Sequence, residues 1–480
     1  MNILYVTSEV ARYAKTGGLA DVSAALPAFL VGAGHDVRTF LPYYGQLDVR
    51  GAGLEPVLRD VEIRLGNRQY EVAIIRASRP GDAPVHLVHC PALYHRASLY
   101  TGDPDEHLRF LVLIRAALEA CGRLQFGPDV IHANDWQAAL VPLTRQVRYS
   151  WDRLFDRTRT LLAIHNLNYQ GIFRADVLGD TGLADAAHLF HQDQLRGGRI
   201  NFLLHGILYA DGVATVSPTY AREIQGEELG AELDPFLRAR SSTVVGILNG
   251  VDYGEWSPER DPLIPARYSA ADLSGKAICK AALVERFGLP RAGVPVIGIV
   301  SRLAGQKGFA LVGEVIPDLL RRHGFQLVVL GSGESRFEQL FSQLAAMFPR
   351  QVGFYPGFSN ELAHLIEAGA DMFLMPSRYE PCGLNQMYSL RYGTIPIVHK
   401  TGGLADTVQL WDPADRTGTG VVFDHFTGEG LRWAIESALA LYRDSDAWRQ
   451  LIENAMARNY SWDVQGKLYE ELYRRLTAGR

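Results

Sequence analysis

The segment 294-VPVIGIVSRLAGQKG-308 joins a continuous apolar run to a loop of glycine, polar and basic residues. A short apolar run bounded by such a loop predicts a strand buried on both faces, as in a parallel sheet. In doubly wound α/β sheets the ligand lies at the carboxyl ends of the strands. Arg302 and Lys307 could therefore clamp a diphosphate, although two solvated surface cations would give the same pattern.

Short apolar runs that alternate with amphipathic stretches recur along the whole chain. Apolar residues at i, i+3 and i+4 predict helices between the runs, for example over 108–120 and 336–347. This alternation predicts parallel sheets in an α/β fold, and about ten strands indicate two sheets rather than one. The predicted strands are 3–6, 37–41, 85–88, 130–132, 160–164, 212–215, 294–299, 326–330, 372–375 and 395–397.

A domain boundary is predicted within 246-GILNGVDYGEWSPERDP-262, which is rich in Gly, Asn, Asp and Pro. We place the first domain at 1–247 and the second at 248–460. The heptapeptide KTGGLAD occurs at 15–21 and again at 400–406, which indicates either two similar domains or two uses of one glycine-rich turn. Near the end of the chain, Leu468, Leu472 and Leu476 predict the apolar face of a last helix.

Composition excludes several classes of protein. Hydrophobic residues make up 47% and charged residues 21% of the 480 residues, which is typical of a globular chain. The formal net charge of −5 argues against a nucleic-acid-binding protein. The longest apolar runs are shorter than the roughly 20 residues that span a bilayer, and the first residues do not resemble a signal peptide. With four cysteines and no CxxC pair, the sequence predicts a cytoplasmic protein that does not associate with a membrane and has neither a zinc site nor disulfides.

Two further motifs can bind an anion or a sugar. Lys15, Gly17 and Gly18 lie between the first strand and a helix, where glycines and free helical N–H groups suit a phosphate. A tight turn with a solvated lysine is the alternative. The stretch 376-PSRYEPCGLN-385 places Glu380 between a strand and a helix. Its carboxylate could lie against a sugar hydroxyl or a developing positive centre, or it could simply cap the helix.

Other strand ends carry weaker signals. His132 and Asp135 belong to the motif HAND, and His165 and Asn166 follow the next strand. A histidine at one strand end is usually structural, but several polar strand ends on one edge indicate a site. The segment 331-GSG-333 lacks the last glycine of GxGxxG, which disfavours an NAD oxidoreductase.

Eight motifs, in order, resemble those of the bacterial glycogen synthases and plant starch synthases. They are KTGGLADV (15–22), HANDWQA (132–138), IHNLNYQG (164–171), ATVSPTYAREI (214–224), ILNGVD (247–252), SRLAGQKG (301–308), PSRYEPCGLNQMYSLRYGTIP (376–396) and KTGGLADTV (400–408). The resemblance implies two Rossmann-like domains that face a deep cleft, the glycosyltransferase B type of α/β fold. It also implies that a helix at 461–480 packs back on the first domain.

The resemblance implies retaining transfer of glucose from ADP-glucose to the non-reducing 4-OH end of an α-1,4-glucan such as glycogen, without cofactor or metal. The implied catalytic residues are Glu380, His165, Asp135 and the diphosphate clamp of Arg302 and Lys307. The implied substrate-binding residues are Lys15, Gly17, Gly18, Asp21, Asn166, Asn249, Phe358, Cys382, Gly383 and Leu384. Phe358 stands where an adenine-stacking aromatic residue, usually Tyr, is expected.

Three departures from the family pattern concern the site. Asn134 stands where a second histidine is usual, Gln137 where a histidine is common, and Asn385 where Thr or Ser is usual. Rival interpretations are a sucrose or maltose-phosphate synthase of the same fold, a phosphorylase with pyridoxal phosphate, and a non-catalytic glucan-binding protein. Tyr388 disfavours the first, because many such synthases carry a second glutamate eight residues after the first.

Overall fold

The computed structural model describes residues 1–478, which form two compact units. Unit 1 consists of Met1–Val216, Ala221–Gly250 and the segment that begins at Trp462, and unit 2 consists of Ser217–Tyr220 and Val251–Ser461. Residues 479–480, the end of the helix predicted at 461–480, lie outside the described residues. No helix of the described part of the chain is long and apolar enough to cross a membrane.

Unit 1 is built on a nine-stranded sheet in the order β11-β10-β7-β6-β1-β2-β5-β4-β3. Pairing is parallel from β11 to β5 and antiparallel for β5-β4 and β4-β3. A separate antiparallel pair is formed by β8 and β9. The bounds are β1 Asn2–Val6, β2 Asp36–Pro42, β3 Gly53–Leu65, β4 Arg68–Ser78, β5 Val85–His89, β6 Val130–Asn134, β7 Arg159–Ile164, β8 Ile172–Arg174, β9 Arg199–Asn201, β10 Gly212–Thr215 and β11 Val244–Gly246.

Helices follow most strands of this sheet. The α-helices up to Ala239 are α1 Gly18–Gly32, α2 Pro91–Tyr94, α3 Glu106–Arg123, α4 Asp135–Ala138, α5 Val141–Arg148, α6 Gln192–Arg196, α7 Phe202–Tyr209, α8 Pro218–Glu223 and α9 Asp234–Ala239. Short 3-10 helices occupy Arg153–Phe155, Ala175–Thr181, Ala184–Leu189 and Ser241–Thr243. Helix α8 straddles the unit boundary, because Tyr220 belongs to unit 2 and Ala221 to unit 1.

Unit 2 contains a six-stranded, all-parallel sheet in the order β14-β13-β12-β15-β16-β17. Its strands are β12 Val296–Val300, β13 Gln326–Gly331, β14 Val352–Pro356, β15 Met372–Met375, β16 Ile395–His399 and β17 Val421–Phe423. The helices are α10 Ser274–Arg286, α11 Phe309–Arg322, α12 Ser335–Met347, α13 Asn360–Gly369, α14 Asn385–Arg391, α15 Gly402–Thr407, α16 Gly428–Arg443 and α17 Ser445–Met456, with a 3-10 turn at Gly305–Lys307. Counted from β12, this is the order 3-2-1-4-5-6 of Rossmann domains.

Strand order reverses beside β12 in unit 2 and beside β1 in unit 1. In unit 2 the chain runs outward from β12 through β13 to β14, then returns to pair β15 with the other side of β12. In unit 1 the chain likewise returns to pair β6 with β1. Loops that leave neighbouring strands in opposite directions open a crevice at the strand ends, which is where such sheets bind ligands. This topology confirms the predicted α/β class and selects the loops after β1, β6, β12 and β15.

All ten predicted strands are present within one or two residues of the expected bounds. The hairpin of β3 and β4 escaped prediction because β3 carries Glu55, Arg59, Asp60, Glu62 and Arg64 on a strand that is mostly exposed. An edge strand with water on one side does not produce the continuous apolar run of a buried parallel strand. The strands β8, β9, β11, β14 and β17 were also missed.

The last helix, α18 Trp462–Ala478, belongs to unit 1 and packs against α1. Its buried face consists of Trp462, Gln465, Gly466, Tyr469, Leu472 and Tyr473. The predicted leucine stripe is therefore wrong at Leu468, which is 44% exposed. Tyrosines instead occupy the core positions, and Tyr473 places its hydroxyl 2.7 Å from Nδ1 of His132 on β6.

Gly466 sets how closely α18 approaches α1. A methyl group at this position would lie 2.3 Å from Cδ1 of Phe29, whereas a methyl group on Gly122 of α3 would meet nothing within 4 Å. We expect Gly466→Ala to lower the free energy of unfolding by about 1–3 kcal/mol through overpacking. The control Gly122→Ala should leave it unchanged or raise it by up to about 1 kcal/mol, because alanine favours the helix. Chemical denaturation of the two variants measures both, and equal values would contradict the tight packing.

Candidate functional site

The loops after β12 and β15 of unit 2 meet through an ion pair. Nζ of Lys307 lies 2.6 Å from Oε2 of Glu380, and both side chains are largely buried, with 19% and 8% of their surface exposed. Ser377 donates its hydroxyl to the same carboxylate oxygen at 2.9 Å. The fold thus brings together two residues that are 73 positions apart in the sequence.

Backbone contacts hold these two loops against each other. Arg378 donates its N–H to the carbonyl of Gln306, and the Gln306 amide donates to the carbonyl of Tyr379. Gly308 has a φ of +76°, and a methyl group there would lie 1.9 Å from the carbonyl oxygen of Pro376. Only glycine fits this approach, so the Lys307 side chain is fixed at its base as well as at its tip.

The second KTGGLAD copy supports Glu380 from beneath. Methyl groups on Gly402 and Gly403 would come within 2.0 Å of the carbonyl oxygens of Glu380 and Cys382, respectively. The N–H of Gly403 donates to the backbone carbonyl oxygen of Glu380 at 3.1 Å. The two glycines therefore let the strand-end loop of β16 touch the loop that carries the carboxylate. Lys400 of this copy pairs with Asp424 in an exposed ion pair.

The other predicted residues of unit 2 surround this pair in different ways. Arg302 lies two residues after β12, is exposed and pairs with no carboxylate among residues 1–478. Phe358 lies in the loop after β14 and is 79% exposed. Cys382, Gly383 and Leu384 form the turn before α14, and Gly383 has a φ of +72°. Asn385 donates its amide to the carbonyl of Val300 at 2.7 Å, which ties this turn to the end of β12.

In unit 1, Asp135 follows β6 at the place where strand order reverses. Its φ is +52°, an unusual conformation for a residue other than glycine. The carboxylate accepts the backbone N–H of His165 at 2.7 Å and is also bonded by the backbone of Asn166. Burial raises the pKa of Asp135 to about 7, and the nearby Glu9 adds to this shift while the two backbone bonds oppose it.

His165 lies after β7, beside the end of β6. Its Nε2 is 3.0 Å from Oδ1 of Asn134, and no described residue bonds its buried Nδ1. Burial lowers the pKa of His165 to about 4, so its ring is neutral near pH 7. Asn249, in the Ala221–Gly250 segment of unit 1, is buried, and no described residue donates a hydrogen bond to its Oδ1.

The first KTGGLAD copy is held by a carboxylate that sequence reasoning missed. Glu9, which is 4% exposed, accepts the N–H and hydroxyl of Thr16 at 2.6 Å, the N–H of Gly17 at 3.2 Å and the hydroxyl of Tyr100 at 2.8 Å. Lys15 extends outward and pairs with Asp21 at 2.6 Å. A methyl group on Gly17 would meet nothing within 4 Å, so packing within the chain does not require glycine at that position.

The structure groups the predicted residues within each unit. It brings Asp135, His165 and Asn166 into contact in unit 1, and Lys307 and Glu380 in unit 2, while Lys15 pairs with Asp21, six positions away. Gly18 is the first residue of α1. Glu9 and Ser377 were missed, and Asn134 was noted only as a departure from the family pattern. Asn134 and Ser377 lie in motifs that the sequence had singled out, whereas Glu9 lies before the first of them. Across residues 1–478, no group of three or more His, Cys, Asp or Glu side chains could hold a metal ion, and the four cysteines are free and buried.

Two family models match consecutive parts of the chain. The starch synthase catalytic domain matches residues 2–239, and the glycosyl transferases group 1 model matches residues 285–458. Curated relatives include the glycogen synthases of Anaeromyxobacter dehalogenans (strain 2CP-1) and Myxococcus xanthus (strain DK1622). Each is 46% identical over the full length of both chains.

Solved structures give the same result at the level of the fold. The catalytic domain of starch synthase IV from Arabidopsis thaliana, solved with ADP and acarbose, has a TM-score of 0.91 and 35% identity over 99% of both chains. A sucrose-phosphate synthase from Thermosynechococcus elongatus, at 17% identity and a TM-score of 0.61, shares the fold alone. With two α/β units, two matching family models and full-length relatives, the chain belongs to the glycogen and starch synthase family of glycosyltransferases.

Proposed function

We propose that this chain transfers glucose from ADP-glucose to the non-reducing 4-OH end of an α-1,4-glucan, with retention of the anomeric configuration. The observation that carries the proposal is the buried Lys307–Glu380 pair at the strand-order reversal of unit 2. A glycosyl donor needs such an arrangement, because its anomeric carbon becomes positive while its nucleoside diphosphate leaves as an anion. The ADP in the similar starch synthase IV structure supports adenine as the base.

The second domain, 248–460, would bind the nucleotide sugar. Arg302 is exposed and unpaired among the described residues, so its guanidinium is available for a fork-like contact with the diphosphate. Lys307 would add a fixed charge on the same group. The exposed ring of Phe358 would stack on adenine, and the backbone of Cys382, Gly383 and Leu384 would contact the sugar and phosphates.

Glu380 would stabilise positive charge at the reacting sugar. Its contacts with Lys307 and Ser377 hold the carboxylate in a fixed position, so it enters the reaction already oriented. A preorganised charge of this kind lowers the barrier without rearranging during the reaction. Its support by Gly402 and Gly403 serves the same end.

The first domain, 1–247, would serve the acceptor and the transferred glucose. Asp135 and His165 form one unit through the 2.7 Å backbone bond, with Asn166 alongside. The open space at Gly17 leaves room for a donor phosphate or sugar beside Lys15, with Gly18 and Asp21 as further substrate contacts, and Asn249, two residues beyond this domain, as another. The unpartnered Oδ1 of Asn249 is an acceptor that a sugar hydroxyl would satisfy.

Nucleotide release tests the proposal directly. Purified protein with glycogen and ADP-glucose should release ADP and extend the glucan by bonds that an α-1,4-specific amylase cleaves. Lys307→Met and Arg302→Met should each lower kcat/KM by about a hundredfold or more, because each removes a charge from the leaving diphosphate. The exposed Arg350→Met is the matched control and should act like the parent.

Two results would contradict this assignment. Release of UDP from UDP-glucose in preference to ADP from ADP-glucose would contradict the donor. Full activity in Lys307→Met would contradict the role of the buried ion pair.

Glu9 should act on the donor through the loop that it holds. Glu9→Gln keeps the size of the side chain but replaces one acceptor oxygen by a donor, which opposes the donors of Thr16, Gly17 and Tyr100. We expect kcat/KM for ADP-glucose to fall by about ten- to a hundredfold as Lys15 is displaced. Glu71→Gln, on an exposed part of β4, is the control, and steady-state kinetics with unchanged Glu9→Gln values would rule out this role.

Asp135 predicts a pH dependence of stability. The folded protein keeps the Asp135 proton up to about pH 7, whereas an unfolded aspartate releases it near pH 3.9. The raised pKa therefore makes the free energy of unfolding fall as pH rises from about 4 to about 7, with no further loss above. Asp135→Asn cannot lose a proton, so its stability relative to the parent should increase across this window. Thermal unfolding at several pH values measures it, with the exposed Asp176→Asn as control, and a constant difference would refute the shift.

A further inference from the structure

Asn134, the last residue of β6, is fully buried beside the candidate site and uses both ends of its amide. Its Nδ2 donates to the carbonyl of Val6 at 3.0 Å. Its Oδ1 accepts the hydroxyl of Tyr5 at 3.2 Å and lies 3.0 Å from Nε2 of His165. The side chain thus links β1 to the residue that follows β7.

These contacts determine which end of the amide faces His165. The carbonyl oxygen of Val6 can only accept a hydrogen bond, so the group beside it must be the NH₂ of Asn134. The oxygen then faces His165 and can only accept. Nε2 of His165 therefore carries a hydrogen, and in the neutral ring Nδ1 carries none.

The surroundings of Nδ1 agree with this assignment. Nδ1 is buried, and no residue of the described chain lies in position to bond it. A proton on Nδ1 would be a buried donor without an acceptor, which is unfavourable. The charged form of His165 is therefore opposed at Nδ1, where its second proton would find no acceptor, while the neutral amide oxygen at Nε2 adds no negative charge that would offset this.

We propose that Asn134 is a positioning residue that holds His165 as the neutral Nε2–H imidazole, so that no positive charge stands beside the anomeric carbon as it becomes positive. The inference rests on the proposed function, which places His165 at the transferred glucose. A neutral amide suits this task better than a carboxylate, which would accept the same bond but stabilise an imidazolium.

Other titratable groups surround the pair. They are His132 and Asp135 of the β6 segment, Tyr5 of β1, Glu9 of the loop after β1, and Tyr473 of α18 next to His132. Asp135 contacts the backbone N–H of His165 rather than its ring. Asn134 is therefore the one described residue that contacts a ring nitrogen of His165.

Two variants change this contact differently. Asn134→Asp keeps the acceptor and adds a negative charge, and Asn134→Leu removes the acceptor at similar size. Tyr5→Phe is the matched control, because it removes the other donor to Oδ1 and leaves His165 untouched. Thermal unfolding of each variant shows that it is folded before it is compared.

The protonation of His165 is read by NMR of protein labelled with ¹⁵N at histidine, with the His165 signals assigned by their loss in His165→Gln. The parent and Tyr5→Phe should show neutral His165 with the hydrogen on Nε2 down to about pH 5. In Asn134→Asp the signals should titrate between about pH 5 and 8, and in Asn134→Leu the hydrogen should no longer be confined to Nε2. Parent-like His165 signals in both variants would overturn the proposal.

Kinetics then tests the consequence for transfer. In Asn134→Asp, kcat should fall by about tenfold or more below the midpoint of the His165 titration, with KM for ADP-glucose changed by less than about threefold. A shift of His165 to the charged form without loss of kcat would overturn the link to the reaction. If the parent itself releases no ADP from ADP-glucose, the proposed function fails, and the NMR comparison still decides whether Asn134 controls His165.

Discussion

The salt bridge of Lys307 with Glu380 depends on one topological constraint, the reversal of strand order between β12 and β15. Chains that leave two neighbouring parallel strands in opposite directions cannot cover the strand ends between them. The loops after these strands are therefore free to meet each other, and Gly308 lets them do so at van der Waals distance. Two charges held at 2.6 Å on such loops are fixed by the backbone of the whole sheet.

The same constraint shapes unit 1, with a different chemical result. There β1 and β6 are the neighbours, and their loops carry Glu9 and Asp135. Among residues 1–478, Glu9 has no basic partner but accepts from backbone N–H groups and hydroxyls, and Asp135 accepts from backbone N–H groups. Buried carboxylates of this kind hold in place the backbone segments that donate to them, whereas the carboxylate of Glu380 is held in place by the side chain of Lys307.

The two KTGGLAD copies show how far identical residues differ in use. In unit 1 an eleven-residue loop separates β1 from α1, and Gly17 faces open space. In unit 2 only two residues separate β16 from α15, and Gly402 and Gly403 are packed against the carbonyls beneath Glu380. The first copy thus leaves open space beside its glycine, while the second is packed against the backbone of a neighbouring loop. Only in the second copy does the contact itself require the absence of a side chain.

By itself the sequence determined the α/β class, ten of the fifteen strands of the two large sheets and the strand ends that carry polar residues, because parallel strands that are buried on both faces appear as apolar runs. The sequence did not predict the exposed hairpin of β3 and β4 or the buried tyrosines of α18. A charged edge strand lacks a continuous apolar run, and tyrosines do not stand out as an aliphatic helical stripe. Only the tertiary structure decided that Lys307 meets Glu380, and that Asn134 presents its oxygen to His165. The first contact follows from the strand order, which makes β12 and β15 neighbours. The second follows because the carbonyl oxygen of Val6 accepts from the amide nitrogen of Asn134 and leaves the oxygen to face His165. Neither relation can be read from the spacing of residues along the chain.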